Sequence, residues 1–316
     1  MRILPAFMAM FFFLSSCKMA PDDSTPLIFD TDWWTDVDDA CAIRMLIKAD
    51  QVGEIDLQGI CLSAVCPTSY ESIGKFLHFE GRDDIPLGAD KEAVDFPGVS
   101  SFHPLLCGQD GPIIKEGDVL DCVDFYRSLL SKARRPVDIV AVGFPNTLSR
   151  LLESAPDGYS DLTGKDLVKK KVRHLYLMAG QYPSGREHNF CLTERSSRAG
   201  DAVLREWPGE ITLLGYEIGI EVVAGGSLPK DDLLHQVLEV HGSASGRYMW
   251  DPLTLYMALK GGAENAGFST VRGTCVLDPK TGENTFEPSE SGRHEYVTFL
   301  HEPSWYAAEM EKALQP

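Results

Sequence analysis

Short apolar runs of strand length alternate with helical stretches along nearly the whole chain, and this alternation limits the fold more than any other feature. "PLIFDTD" (26–32), "IDLQGICLSAV" (55–65), "IPLGA" (85–89), "VDIVAVG" (137–143), "VRHLYLMAG" (172–180) and "EITLLGYEIG" (210–219) read as strands. Between and after them, residues 39–48, 68–81, 118–133, 146–156, 196–207, 231–242 and 251–261 read as helices, several with apolar residues near a 3.6 spacing. Residues 271–300 read as a β-hairpin region with a turn at 279–282, followed by a closing helix. Strands this uniformly apolar are covered on both faces, which is the habit of parallel sheets. The expected fold class is therefore α/β: a mainly parallel open sheet with helices on both faces, Rossmann-like. In such sheets ligands bind beyond the C-terminal ends of the strands, so loops that follow strands are where chemistry belongs.

With 316 residues, 44% of them hydrophobic, the chain can bury a large core. No internal repeat or interdomain linker breaks it, and residues 27–316 read as one domain. The formal net charge of −18 repels nucleic acid and anionic lipid surfaces, and neither is expected as a partner. Residues 1–16 read as a secretory signal that resembles the bacterial lipoprotein type, ending in "LSSC" with Cys17 as the lipidated residue. Residues 17–26 read as a tether. The protein is thus expected to be exported to the bacterial cell envelope and anchored by lipid. Of the other cysteines, Cys61 with Cys66, or Cys107 with Cys122, are candidate pairs; the irregular spacing favours small buried apolar residues instead.

One post-strand loop stands out. "LIFDTDWWTDVDDACAIRML" (27–46) places Asp30, Asp32, Asp36, Asp38 and Asp39 within ten positions between two apolar segments. A helix N-terminus accommodates one or two carboxylates through its free N–H groups and dipole. Five need a further source of positive charge. A hard divalent cation supplies it, Ca²⁺ tolerating an irregular cage of six to eight oxygens.

The stretch resembles the N-terminal signature of the inosine–uridine-preferring nucleoside hydrolases, usually D-T-D-x-G-x-D-D-A. Here Asp30-Thr31-Asp32 and Asp38-Asp39-Ala40 are separated by a loop two residues longer, with tryptophan where glycine is usual. Further likenesses follow in order. They are "SFHPLLCGQDG" (101–111) to the family's His-bearing loop, "VAVGFPNTLSRLL" (140–152) to T-G-P-L-T-N-L, Glu187-His188-Asn189 to E-F-N, and "WDPLTLYMAL" (250–259) to the late H-D-P helix start. The resemblance implies Asp32 as general base and metal ligand. It implies Asp39, Asp251 and the backbone carbonyl of Val142 as the other calcium ligands. Asp38, Glu187 and Asn189 would grip the sugar. The implied reaction is calcium-dependent hydrolysis of the N-glycosidic bond of a ribonucleoside or related N-riboside, giving free base and ribose.

Two departures bear on the chemistry. Trp250 stands where many family members carry the histidine that helps protonate the leaving base; an indole stacks or packs but does not donate a catalytic proton. Asp36 has no counterpart in the shorter loop. His103 is the candidate replacement acid, Arg247 and Trp33 are candidate substrate contacts, and His188 faces either the pocket or away from it. Two alternatives stand beside the hydrolase: a metal-dependent nucleoside- or sugar-binding protein of the same fold without turnover, and a haloacid-dehalogenase-like phosphatase reading "FDTD" as its D-x-D strand end. A homo-oligomer is in keeping with the family.

Overall fold

The computed structural model describes residues 24–316. The expected signal segment, Cys17 and the expected tether as far as residue 23 lie outside them. Strand β1 (Thr25–Thr31) starts two residues before the expected domain start at Leu27, because Thr25 and Pro26 already pair with Ile55 and Asp56 of β2 (Ile55–Leu62). The remaining strands are β3 (Leu87–Ala89), β4 (Leu120–Asp121), β5 (Val137–Ala141), β6 (Val172–Met178), β7 (Ser184–Arg186), β8 (Ile211–Leu214), β9 (Val223–Ala224), β10 (Arg247–Tyr248), β11 (Phe268–Leu277), β12 (Glu283–Pro288) and β13 (His294–Phe299). The helices are α1 (Asp38–Gln51), α2 (Ser69–Phe79), α3 (His103–Cys107), α4 (Cys122–Lys132), α5 (Asn146–Glu153), α6 (Gly164–Lys171), α7 (His188–Cys191), α8 (Glu194–Glu206), α9 (Tyr216–Gly219), α10 (Leu233–His241), α11 (Trp250–Leu259) and α12 (Pro303–Leu314).

An 11-stranded sheet runs β4-β3-β2-β1-β5-β6-β8-β13-β11-β12-β7, with β9 and β10 paired apart from it. From β4 to β13 each neighbouring pair is parallel. The last three strands complete the edge antiparallel. Successive side chains on a strand point to opposite faces, and the two faces feed two cores. Leu27, Phe29, Val140, Tyr176 and Met178 face α1, α2, α10, α11 and α12. Ile28, Ile139, Ala141, Leu175 and Leu177 face α4, α5, α6 and α8. Asp30 shares the second face. Its Oδ2 accepts hydrogen bonds from Tyr126 of α4 and Thr147 of α5, both at 2.7 Å.

Local chemistry explains where the elements differ from the sequence reading. The strand expected over 210–219 stops at Leu214, and α9 follows; Gly215 packs under Glu217, whose Oε2 accepts the Tyr182 N–H at 3.1 Å. The helix expected from 118 starts at Cys122, because Asp121 caps it through the Val123 N–H at 3.0 Å and Leu120–Asp121 pair with Gly88 and Ala89. The hairpin region is three strands, β11 to β13. All seven described cysteines are free, so neither candidate disulfide forms. Among the described residues no helix is long and apolar enough to cross a membrane.

Strand order reverses direction of travel between β1 and β5: the chain leaves β1 toward β2 and leaves β5 toward β6. The crevice at such a point lies at the strands' C-terminal ends. There the Val142 N–H donates to the Asp30 carbonyl at 2.7 Å. A Cβ on Gly143 would press into the backbone N of Asp32 and lie 2.7 Å from the Thr31 carbonyl carbon. Only glycine permits this approach. Gly143→Ala is expected to destabilise the fold by about 1–3 kcal/mol, as overpacking does, read as a lower denaturant midpoint with an unchanged slope.

Candidate active site

The loops after β1 and β5, with the start of α1, enclose one side of a cavity of about 230 Å³. The stretch before α7 and the starts of α7, α9 and α11 enclose the other. Asp32, Asp36, Asp38, Asp39, Val142, Glu187, Asn189, Trp250 and Asp251 all line it. Carboxylate oxygens of Asp38, Asp39 and Asp251 lie within 4.8 Å of one another, and all three residues are buried. Asp38 and Asp39 come from the first turn of α1, Asp251 from the first turn of α11, which packs against α1. The Asp251 N–H donates to Asp38 Oδ2 at 3.0 Å and clasps the two helix starts together. Asp39 Oδ1 accepts from Thr31 Oγ1 and, at 3.2 Å, from the Trp33 N–H.

These contacts do not neutralise the charge. Burial, then the neighbouring carboxylates, push Asp32, Asp38 and Asp251 well above the usual carboxylate range. Burial pushes Asp39 up to about 6, against the bonds from Thr31 and Trp33. A cation would relieve all four at once. The donors are carboxylates and, at Val142, a carbonyl, a set that suits hard cations such as Ca²⁺ or Mg²⁺. Val142 O already accepts from Asn189 Nδ2 at 2.7 Å, and a carbonyl oxygen keeps a second lone pair for an ion. The residues fit a metal centre.

Asp36 is stabilised differently. Burial opposes its ionisation, but the Arg247 guanidinium, bonded through Nε at 2.8 Å and through Nη2, holds the carboxyl below its ordinary value. Arg247 also lies 5.4 Å from the Trp250 ring centroid. It does not line the cavity; its expected substrate contact is replaced by this pair and by the stack on Trp250. Trp250 donates Nε1–H to the Tyr216 carbonyl at 2.8 Å and stacks on the Tyr216 ring, centroids 5.6 Å apart. The two rings form an aromatic wall.

Glu187 and Asn189 are held in the lining by backbone contacts. Glu187 accepts from the N–H groups of Asn189 (2.8 Å) and Gly180 (2.9 Å), while burial pushes its carboxyl up to about 7. Asn189 Nδ2 donates to the carbonyls of Val142 and Met178, the latter at 3.0 Å, which fixes the amide orientation.

Two further expectations are corrected. His103 does not reach the cavity. It is fully buried, its Nδ1 lies 3.0 Å from Thr68 Oγ1, its Nε2 has no hydrogen-bond partner, and burial pushes the imidazole down to about 4. A neutral, sealed imidazole cannot deliver a proton to a substrate. Trp33 is likewise fully buried. Its indole donates to Ser72 Oγ at 2.9 Å and packs on Phe76, Phe102 and His103. Its φ of 46° is left-handed, unfavourable for a bulky residue, and the buried indole holds the loop in that conformation. Trp34 packs on Ala64, Ala93, Phe96 and Phe144. Both tryptophans shape the lengthened loop rather than touch a ligand.

The cavity also gathers Thr35, Met178, His188 and Tyr216. Tyr216 follows the true end of β8; reading 210–219 as one strand hid it from the rule that ligands sit past strand ends. A second acidic group, Asp90, Asp121 and Cys122, lies elsewhere. Arg150 Nη1 reaches Asp90 at 2.5 Å and Asp121 at 3.1 Å, so a guanidinium already supplies the positive charge there.

No family profile matches the chain, and no curated protein matches it in sequence. Solved structures do. A plant nucleoside hydrolase superposes with a TM-score of 0.70 at 16% identity, over 92% of this chain and 98% of that one. The fold is that of the nucleoside hydrolases. The inosine–uridine-preferring nucleoside hydrolase of Bacillus anthracis matches with a TM-score of 0.63 at 16% identity, covering 92% and 99%. The type III effector XopQ, solved with adenosine diphosphate ribose, matches at 0.63 and 14%, covering 94% and 93%. The nucleoside-hydrolase fold replaces the haloacid-dehalogenase reading of "FDTD".

The electrostatics give a measurable consequence. Glu187 and Asp30 are pushed up by burial to about 7 from 4.5 and 3.8. The folded state therefore binds more protons than the unfolded one. Their stabilising contribution is whole at about pH 4 and is lost as pH rises through about 7. With a chelator present, the thermal midpoint is expected to fall over this interval; if the carboxylates hold a divalent cation, adding one should raise the midpoint more as pH rises and they ionise.

Proposed function

We propose that this chain hydrolyses the N-glycosidic bond of a ribonucleoside or related N-riboside, with calcium bound by Asp32, Asp39, Asp251 and the Val142 carbonyl, and releases free base and ribose. The observation that carries the reading is the convergence of Asp38, Asp39 and Asp251, from opposite ends of the chain, in one cavity with Asp32. Glu187 and Asn189 lie in the same cavity, where sugar hydroxyls would bind. When bound, the ion would polarise a water and orient two vicinal ribose hydroxyls. Asp32, partly exposed in the cavity, takes the proton as the water adds to C1′. Asp38 and Glu187 accept ribose hydroxyl protons in hydrogen bonds, and Asn189 adds its free carbonyl oxygen. Positive charge builds on C1′ and the ring oxygen as the bond breaks, and the carboxylates around it stabilise that charge. The Tyr216–Trp250 wall offers a flat face to the base.

A turnover-free binding protein is the second reading. Trp250 favours it, because its one N–H is committed to the Tyr216 carbonyl and gives the base nothing. Export and lipid anchoring at Cys17 belong to the same proposal as its cellular setting, as does a homo-oligomeric state.

A panel of purine and pyrimidine nucleosides, assayed for free base and ribose with and without EDTA, decides between the two. Turnover is expected with calcium and not with the chelator. Asp32→Ala should lower kcat by about 10²–10⁴-fold, the usual worth of a positioned base. Saturable binding of ribosides with no ribose released by the wild type would establish the binding reading.

A further inference from the structure

We infer that His188 is the acid that protonates the departing base, the cavity having exchanged the family's late histidine and its E-F-N phenylalanine for Trp250 and His188. The inference rests on the N-riboside hydrolase reading of this site. Of eight histidines in the chain, His188 is the one lining the cavity. His103 is sealed in the core, His174 bonds Thr212, His294 accepts from the Cys275 N–H, and His241 bonds Ser243. His188 is exposed, and neither ring nitrogen is committed to a described protein group. Its N–H is therefore free for a ligand, unlike that of Trp250.

The ring is also held in place. Glu187 and Asn189 on either side are tied to Gly180, Val142 and Met178, so the backbone of His188 sits in a fixed frame beside the sugar position. The imidazole lies 5.8 Å from the Phe144 ring, which in turn stacks on Phe96 at 3.9 Å. Burial draws the imidazole below its ordinary value, and the Asp36 carboxylate offsets only part of that.

The step balances. The C1′–N bond breaks with its electron pair going to the base nitrogen. The imidazolium N–H proton of His188 passes to the base, which leaves neutral. Water forms the new bond to C1′ and gives its proton to Asp32, and solvent returns that proton to His188.

The test compares two leaving groups in the calcium-loaded protein. Inosine and uridine need a proton on the departing base; 4-nitrophenyl β-D-ribofuranoside does not, since nitrophenolate leaves unaided. His188→Gln is expected to lose about 10²–10⁴-fold in kcat on the nucleosides and to stay within roughly threefold of wild type on the aryl riboside. His188→Phe, which restores the family's residue type, should behave the same. A C-nucleoside, whose carbon–carbon bond cannot be hydrolysed, should shift the His188 ring-proton resonances on binding. Equal losses on both substrate types would assign His188 a structural role and overturn the inference, as would unchanged nucleoside turnover. A selective loss in Tyr216→Phe and none in His188→Gln would give the role to the phenol. Wild type inactive on the nucleosides and the aryl riboside alike would overturn the hydrolase reading and this inference with it.

Discussion

Repulsion among buried carboxylates is the constraint around which this molecule is arranged. Asp38, Asp39 and Asp251 sit where water cannot screen them, and Asp32 shares their cavity. Ordinary packing would separate such groups or pair them with bases. Here the fold forces them together: two helix starts are clasped by the Asp251 N–H, and β1 and β5 approach so closely that position 143 tolerates no side chain. Where the chain does have arginine to spare, as at Arg150 and Arg247, it neutralises other acids, Asp90, Asp121 and Asp36. The unneutralised group is the one open to the cavity.

Much of this was legible in the sequence. The near-continuous apolar strands alternating with helices announced a parallel sheet, and the loop after the first strand held most of the acidic site. What was not legible depended on three-dimensional direction. Trp33 and Trp34 lie in the site's own loop yet point into cores, because a left-handed backbone at Trp33 turns the indole toward Ser72 and Phe76. His103 sits in a loop that resembles a functional one, yet its ring is covered by Trp33 and Phe102. Strand-end reasoning fails wherever the strand end is misjudged by a few residues, which is how Tyr216 escaped.

The aromatic wall and the polar wall of the cavity divide the work by surface type. Trp250 and Tyr216 present ring faces backed by their own hydrogen bond, with Arg247 stacked behind the indole. Elsewhere in the lining, the Glu187–Asn189 segment presents atoms anchored to backbone.

The clasp between Asp38 and Asp251 joins residues 213 positions apart. Contacts of such sequence separation carry a loop-closure cost that local contacts do not. A chain released before residue 251 has been made would lack one of the three carboxylates that meet there. Divalent-ion occupancy would mark a finished molecule and, by mass action, hold it finished.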